Sequence, residues 1–323
     1  MKHLIVFNGK AGSEKDIAAF KELVEKEFNG LDFSIYETTG PRSVIPYLKE
    51  FLKANDKEVV RVYACGGDGT VHECANALVG FDNAELAIYP VGTGNDFAKT
   101  YAGTKDYDAI VKERAAEKKL QNFAELIKAE AHPIDLTKIS GDSLEEPLYS
   151  INVINFGFDA IVGAMGNYYK ENGIPADAPK KYQNDPYGYA LNHDAMKHGR
   201  FNDTVVTADG EQLNEKQILL GTLAQGQFVG GSFWAAPKSD NTDGLIDVCV
   251  LKTMTFLGLG MIIGTYTKGK HLDKKRKKIV YRRAKKVTIV APKEIDVCVD
   301  GEMIKGKEFD VEVVPSAIKL AVF

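Results

Sequence analysis

The stretch Val59-Val60-Arg61-Val62-Tyr63-Ala64-Cys65-Gly66-Gly67-Asp68-Gly69-Thr70-Val71-His72-Glu73-Cys74-Ala75-Asn76-Ala77-Leu78 decides the reading of this chain. Its first seven residues make an apolar run of strand length, and the residues from Val71 place apolar side chains at helical spacing. Between them lies a glycine-rich turn, Gly66-Gly67-Asp68-Gly69-Thr70. Such a turn lets backbone N–H groups approach an anion, and the helix N-terminus adds favourable partial charge. Asp68 is the unusual member. A carboxylate beside a phosphate cradle repels the ligand unless it holds a cation or handles a proton. The local chemistry therefore points to a nucleotide phosphate, a divalent metal and a reaction. The plainer reading, a turn aspartate bonded to nearby backbone, stands beside it.

Two more strand ends have the same character. Leu86–Val91 is apolar and runs into Gly92-Thr93-Gly94-Asn95-Asp96-Phe97-Ala98, and Leu4–Phe7 runs into Asn8-Gly9-Lys10-Ala11-Gly12-Ser13. Three strand ends delivering small residues and donors fit an open α/β sheet that binds ligand at its carboxyl edge. No G-x-x-x-x-G-K-[ST] loop is present, so the phosphates would rest on backbone donors and hydroxyls, with Thr39, Thr70 and Thr93 as hydroxyl candidates.

The alternation continues around these loops. Ile17–Phe28 and Val44–Lys53 read as helices and Asp32–Glu37 as a strand, which implies a parallel sheet with helices on both faces. Residues 106–121 are highly charged and read as one solvated surface helix. From about Asn122 the character changes: 123–130 looks helical, His132-Pro133 breaks it, and most later segments are short and β-like: 134–139, 149–156, 204–208, 217–224, 245–251, 287–291, 295–299, 309–314 and 318–323. That is the signature of an antiparallel sandwich or barrel. Residues 187–197 and 256–268 read as helices within it. The expected organisation is an α/β nucleotide-binding domain over 1–130 and a mainly antiparallel β-sandwich domain over 131–323.

At 323 residues and 44 % hydrophobic content, two packed domains are affordable, and a net charge of −4 gives no ground for nucleic-acid binding. Cys65, Cys74, Cys249 and Cys298 have no metal-type spacing and read as reduced core residues of a cytoplasmic protein. Met1-Lys2-His3 leads directly into a strand, with no signal-peptide pattern. The longest apolar stretch, residues 254–265, is shorter than the roughly 20 residues a membrane span needs.

Further carboxylates carry double readings. Asp300-Gly301-Glu302 is either a hairpin turn or, with positions two apart facing one way on a strand, a converging acid pair that binds metal or accepts a proton. Asp240-Asn241-Thr242-Asp243-Gly244-Leu245 is either an Asx-type turn or a cation loop without the late bidentate glutamate of a calcium site. Asp159 and Asp135 are either structural or placed to bind an acceptor hydroxyl. His72 packs on its helix. The basic run over 268–286, with Lys274, Lys275, Arg276, Lys277, Lys278, Arg282 and Arg283, is either a solvated face or a contact for an anionic membrane surface.

The ordered set GGDGT, GTGNDFA and NGKAGS, continued by Asn155-Phe156-Gly157-Phe158-Asp159-Ala160, Ala236-Pro237, Asp243-Gly244-Leu245-Ile246-Asp247-Val248 and Val299-Asp300-Gly301-Glu302, resembles the diacylglycerol kinase catalytic domain superfamily across nearly the whole chain. The family usually has Asn-Pro where this chain has Asn8-Gly9, and residues 163–200 match it poorly. The resemblance implies an ATP- and Mg2+-dependent lipid kinase with a lipid substrate, most readily diacylglycerol. Other readings are a sphingoid-base kinase, an NAD kinase and a non-catalytic nucleotide or lipid sensor. It implies phosphate and nucleotide contacts from Asn8, Gly12, Thr39, Gly66, Gly67, Asp68, Gly69, Thr70, Gly92, Thr93, Gly94 and Asn95. It also implies Glu302 as proton acceptor, Asp300 and Asp68 as metal organisers, and a structural Mg2+ held by Asp243 with carbonyls near Asp240 and Leu245. A homodimer is a further expectation.

Overall fold

The computed structural model describes residues 1–9, 14–273 and 277–323; of Phe256 it describes the backbone. The chain forms two compact units. One comprises Met1–Leu136, Phe228–Ser232 and Val314–Phe323, and the other Thr137–Gln227 and Phe233–Val313. The first unit takes in two remote segments that no local pattern marks.

In the first unit, β1 (Lys2–Phe7), α1 (Glu14–Glu27), β2 (Phe33–Glu37), α2 (Val44–Ala54), β3 (Val60–Gly66), α3 (Asp68–Leu78) and β4 (Ala84–Pro90) alternate as expected. The strands pair in parallel in the order β2-β1-β3-β4, and residues 319–321 add a fifth parallel strand beside β4. Val60 to Cys65 are buried continuously, Arg61 included, because both faces of β3 are covered. Ile5, Tyr63 and Ala87 share a core cluster with Phe28 and Phe123. Four short helices follow, α4 (Asp96–Lys99), α5 (Tyr107–Val111), α6 (Ala115–Leu120) and α7 (Phe123–Lys128). The single surface helix expected over 106–121 is thus two. Arg114 adopts a left-handed backbone (φ 55°), and Ile110, Ala116 and Leu120 are buried rather than solvated.

The strand β5 (Ala131–Gly141) leads into the second unit. There follow β6 (Leu148–Ser150), β7 (Val153–Gly157), α8 (Phe158–Asn172), α9 (Pro186–Ala190), a wide turn of helix at Leu191–Ala195, α10 (Met196–His198), β8 (Val205–Ala208), β9 (Glu211–Gln212), β10 (Ile218–Ala224), β11 (Ile246–Lys252), α11 (Phe256–Thr267), β12 (Ile279–Ala284), β13 (Lys286–Val299) and β14 (Glu302–Ala321). Strands β12-β11-β10-β7-β13-β14 pair antiparallel in that order, with β8 added to β13, over a core that includes Phe156, Ile218, Val248, Val297 and Phe309. This is the antiparallel sandwich the strand pattern predicts. Strands β9 and β12 stand where none is expected, and three further details differ. The four strands expected over 287–323 are two long ones. The strand expected over 149–156 is broken at Ile151-Asn152. Helix α8 stands where no element is expected, packed through Tyr169 against Tyr189 and Ala190 of α9.

Candidate functional site

In the first unit the chain runs from β1 to β2 on one side and returns to β3 on the other. The loops after β1 and β3 therefore flank the topological switch point, where open α/β sheets bind ligands. Gly67, extended at φ −92°, precedes α3, and its carbonyl takes the amides of Thr70 and Val71 at 3.0 and 3.2 Å. A side chain at Gly67 would lie 3.3 Å from the Gly92 Cα, and one at Gly92 would run into Gly67. The two glycine turns touch backbone to backbone. Gly66 gives way to the Thr70 side chain, while Gly69 faces open space. Thr93 is exposed at the tip of the second turn and Thr70 half-buried at the first.

Asp68 stands where these turns meet. Its Oδ1 accepts the Phe97 amide at 3.1 Å, and a Cβ at Gly94 would lie 2.8 Å from its Oδ2 and 3.9 Å from Oδ2 of Asp96. Burial, and then the Asp96 charge, push the Asp68 carboxyl above its ordinary range. Asp96 accepts the Gly231 amide at 3.0 Å and pairs with Lys99 at 2.8 Å. The buried Lys99 ammonium uses its remaining donors on the Gly94 and Gly231 carbonyls, both at 2.6 Å. Asp96 and Lys99 thus hold the second turn in place, and sequence reasoning assigned neither a role. Their i, i+3 spacing in Asp96-Phe97-Ala98-Lys99 was the available signal. A half-buried carboxyl raised by burial and by a neighbouring acid, with Gly94 packed against its Oδ2, suits a phosphate-bound cation.

Asn95 adopts a left-handed backbone (φ 52°) and braces the turn instead of facing outward. Its side chain accepts the Gly92 amide at 2.9 Å and donates to the Gly92 carbonyl at 2.8 Å and to Glu117 at 3.1 Å. Arg114 donates to Glu117 and to the Gly92 carbonyl, both at 3.1 Å. Asn8 is exposed at the end of β1, and Thr39 is exposed beside Ser43, whose hydroxyl accepts the Thr39 amide at 3.3 Å. Gly12 lies outside the described residues.

In the second unit, Asp300 (φ 51°) and Gly301 (φ 101°) form the two-residue hairpin turn between β13 and β14, with Val299 paired to Glu302. Asp300 and Glu302 therefore do not converge from one strand. The Asp300 carboxylate turns back to accept the Ser150 hydroxyl at 2.6 Å and the amides of Ile151, Asn152 and Val153 at 2.9, 3.0 and 2.9 Å. That clamp explains the break between β6 and β7, and it makes Asp300 a structural acceptor rather than a metal organiser. Asp135, in the first unit, is also structural: it is buried and accepts the amide of Ser316 at 2.8 Å, holding that residue's left-handed backbone. Glu302 is half-buried. Asp159 opens α8 directly after Gly157, whose φ of 91° and close approach to the Leu219 carbonyl exclude a side chain. Burial pushes the Asp159 carboxyl up to about 7, although it accepts the Ala160 amide at 3.0 Å. Burial, then the charges of Asp159, Asp300 and Glu302, raise the Cys298 thiol to about 12.

The expected structural Mg2+ does not fit the donor set present. Asp243 is ion-paired with Arg283 and accepts the Leu245 amide at 3.0 Å. Asp240 accepts the Thr242 amide at 3.0 Å and its hydroxyl at 2.6 Å, and the Leu245 carbonyl accepts from Gln225 at 3.2 Å. Arg283 also lies 3.7 Å from Asp247, whose carboxyl burial raises and which accepts the Tyr281 hydroxyl. A guanidinium supplies the positive charge that the loop was expected to draw from a metal, and among the described residues no cluster of three metal-type side chains is found. Of the basic run, Lys274, Lys275 and Arg276 lie outside the described residues. Arg282 pairs with Glu211 at 3.2 Å and Arg283 with the aspartates, so the arginines are not a free cationic face.

The chain thus joins an α/β unit carrying glycine-rich strand-end turns to an antiparallel sandwich. Residues 2–139 match the diacylglycerol kinase catalytic domain and residues 152–322 the YegS C-terminal NAD kinase beta sandwich-like domain. The chain therefore belongs to the diacylglycerol kinase family of lipid kinases. It is 26 % identical over 303 residues to a diacylglycerol kinase of Bacillus subtilis, covering 92 % of this chain and 88 % of that one. It is 28 % identical over 328 residues to a probable lipid kinase YegS-like of Pseudomonas aeruginosa, covering 99 % and 93 %. A crystal structure of a Bacillus anthracis diacylglycerol kinase superposes with a TM-score of 0.66 at 23 % identity, covering 100 % of this chain and 96 % of that one, which speaks for the fold.

Proposed function

We propose that this kinase transfers the γ-phosphoryl group of ATP to the hydroxyl of a membrane lipid, with diacylglycerol as the first substrate to test. The observation that carries the reading is the contact of Gly67 with Gly92 beneath the raised Asp68 carboxyl: a backbone cradle with one acid placed for a cation. Kinase chemistry of this kind is mostly positioning and charge stabilisation. The glycine turns present amides to the phosphates, Lys99 and Asn95 keep those turns rigid, and Asp68 is the residue that would hold a phosphate-bound Mg2+. Bound Mg2+ would neutralise charge on the transferring group. The lipid hydroxyl oxygen forms the new bond to the γ-phosphorus, the bond to the β,γ-bridging oxygen breaks and ADP leaves. The hydroxyl proton passes to Glu302, while Asp159 accepts the hydrogen bond that orients the hydroxyl.

The experiment is phosphoryl transfer from radiolabelled ATP across a panel holding diacylglycerol, a sphingoid base, a monoacylglycerol and NAD. Label in diacylglycerol supports the reading and label in another lipid reassigns the acceptor. Label in NAD alone, or in nothing while ATP still binds, overturns it.

A further inference from the structure

Helix α11 carries no charged residue between Phe256 and Thr267, yet it is not a core helix. Ile262 and Tyr266 are buried, whereas Leu257 is 74 % exposed and Met261 66 % exposed. These two lie one helical turn apart, with exposed Gly260 and Gly264 completing an outward stripe and Ile263 exposed beside it. A helix that is apolar all round needs apolar surroundings on both sides. No described helix is long and apolar enough to cross a membrane. Along α11 runs a groove of about 700 Å³, floored by Met254 and Ile262, walled by Met261 and Phe201, and rimmed by Arg200, Lys277 and Lys278. Phe201 is itself half exposed. Three cations thus frame an apolar face on a chain whose net charge is −4, which is charge complementarity for an anionic surface.

The buried side of the same helix carries Tyr266. The Tyr266 hydroxyl lies 3.4 Å from that of Thr222, and burial, then the Asp159 charge, raise its pKa far above that of a free tyrosine. We propose that α11 and Phe201, rimmed by Arg200, Lys277 and Lys278, form an interfacial docking surface for an anionic lipid bilayer. Leu257 and Met261 enter the acyl boundary, and the cations sit at headgroup level. The docking surface rests on the proposed function only in taking the acceptor to be a membrane lipid.

The test is sedimentation without nucleotide, against vesicles of phosphatidylcholine alone and of phosphatidylcholine mixed equally with phosphatidylglycerol. The protein is expected to bind the mixed vesicles and not the neutral ones. Lys277→Gln with Lys278→Gln should weaken binding on the order of 10–30-fold at low salt, about fivefold per basic residue, and much less at high salt. Leu257→Gln with Met261→Gln should weaken it at both salts. Both pairs should leave turnover of a short-chain soluble acceptor unchanged. Leu257→Trp, which keeps the face apolar, should show a blue-shifted emission with mixed vesicles that buried Trp234 does not. Unchanged sedimentation of both glutamine variants, no shift of Trp at 257, or conversion of a dimer to a monomer by the Leu257/Met261 pair each overturns the proposal. Docking without lipid phosphorylation would sink the kinase reading and leave this one standing.

Discussion

Asp159→Asn perturbs one carboxyl and nothing larger: the amide keeps an oxygen for the Ala160 N–H. Burial holds Asp159 near 7 against an ordinary value of 3.8. The native state therefore grips this proton more tightly than the unfolded chain does. The stability it contributes is complete below about pH 4 and is lost as pH rises toward 7. At about 1.4 kcal/mol per pKa unit the full loss is at most about 4 kcal/mol, and about 2–3 kcal/mol of it falls between pH 5 and pH 8. Asparagine mimics the protonated form at every pH. The variant should gain on the wild type as pH rises, its Tm advantage widening by roughly 5 °C between those pH values. Thermal unfolding by circular dichroism on both proteins reads this directly, since other titrating groups cancel in the difference.

The same substitution should lower activity. If the ionised Asp159 accepts the lipid hydroxyl, kcat/KM for the lipid rises with pH through about 7 in the wild type. In Asp159→Asn that rise should be absent, with ATP affinity unchanged. A Tm advantage equal at pH 5 and pH 8 would refute the buried-acid account. A pH profile that keeps its rise in the variant would refute the acceptor role.

Glu302→Gln should leave ATP affinity intact in calorimetry and cut kcat on the order of 10²–10⁴-fold, the usual contribution of a positioned base; an active variant removes it from the mechanism. Gly94→Val should abolish ATP binding while circular dichroism stays native, because its Cβ would come within 2.8 Å of Asp68 Oδ2. Unchanged affinity would mean that the cradle lies elsewhere. Without nucleotide, the wild-type Tm should be indifferent to Mg2+ and to EDTA, whereas Arg283→Met should lower it by leaving Asp243 and Asp247 without their shared cation. A wild-type Tm that falls in EDTA would restore the metal loop.

What was legible in the sequence was whatever local pattern determines. Apolar runs ending in glycine located β1, β3 and β4 and the turns after them, and Asp300-Gly301 carried its hairpin in two residues. What was not legible depended on distant partners. The 149–156 strand breaks because Asp300 takes three consecutive amides there, a contact spanning about 150 residues that no periodicity encodes. The charged 106–121 segment folds as two helices separated at left-handed Arg114, which donates to the Gly92 carbonyl and to the buried Glu117, so residues that read as solvated brace the second turn. Helix α8 was missed because Gly157-Phe158-Asp159 looks like a strand end until Leu219 is placed against it.

The same distinction sorts the acids. Asp68, Asp135, Asp159, Asp243 and Asp300 are alike in sequence, each near a turn or strand end. Their roles diverge with the donors that reach them. Asp300 receives a hydroxyl and three amides and Asp243 a guanidinium, so the chain itself compensates both. Asp68 and Asp159 receive amides only, and both are pushed toward the neutral form. A carboxyl that the fold buries without balancing its charge is destabilising unless something else balances it. For Asp68 that partner would be a cation carried by the phosphates, and for Asp159 the hydroxyl of the acceptor. In the proposed reaction these two raised acids are the ones whose stabilisation would wait on substrate. Replacing either by its amide should therefore raise stability while lowering turnover, a combination that no purely structural aspartate would give.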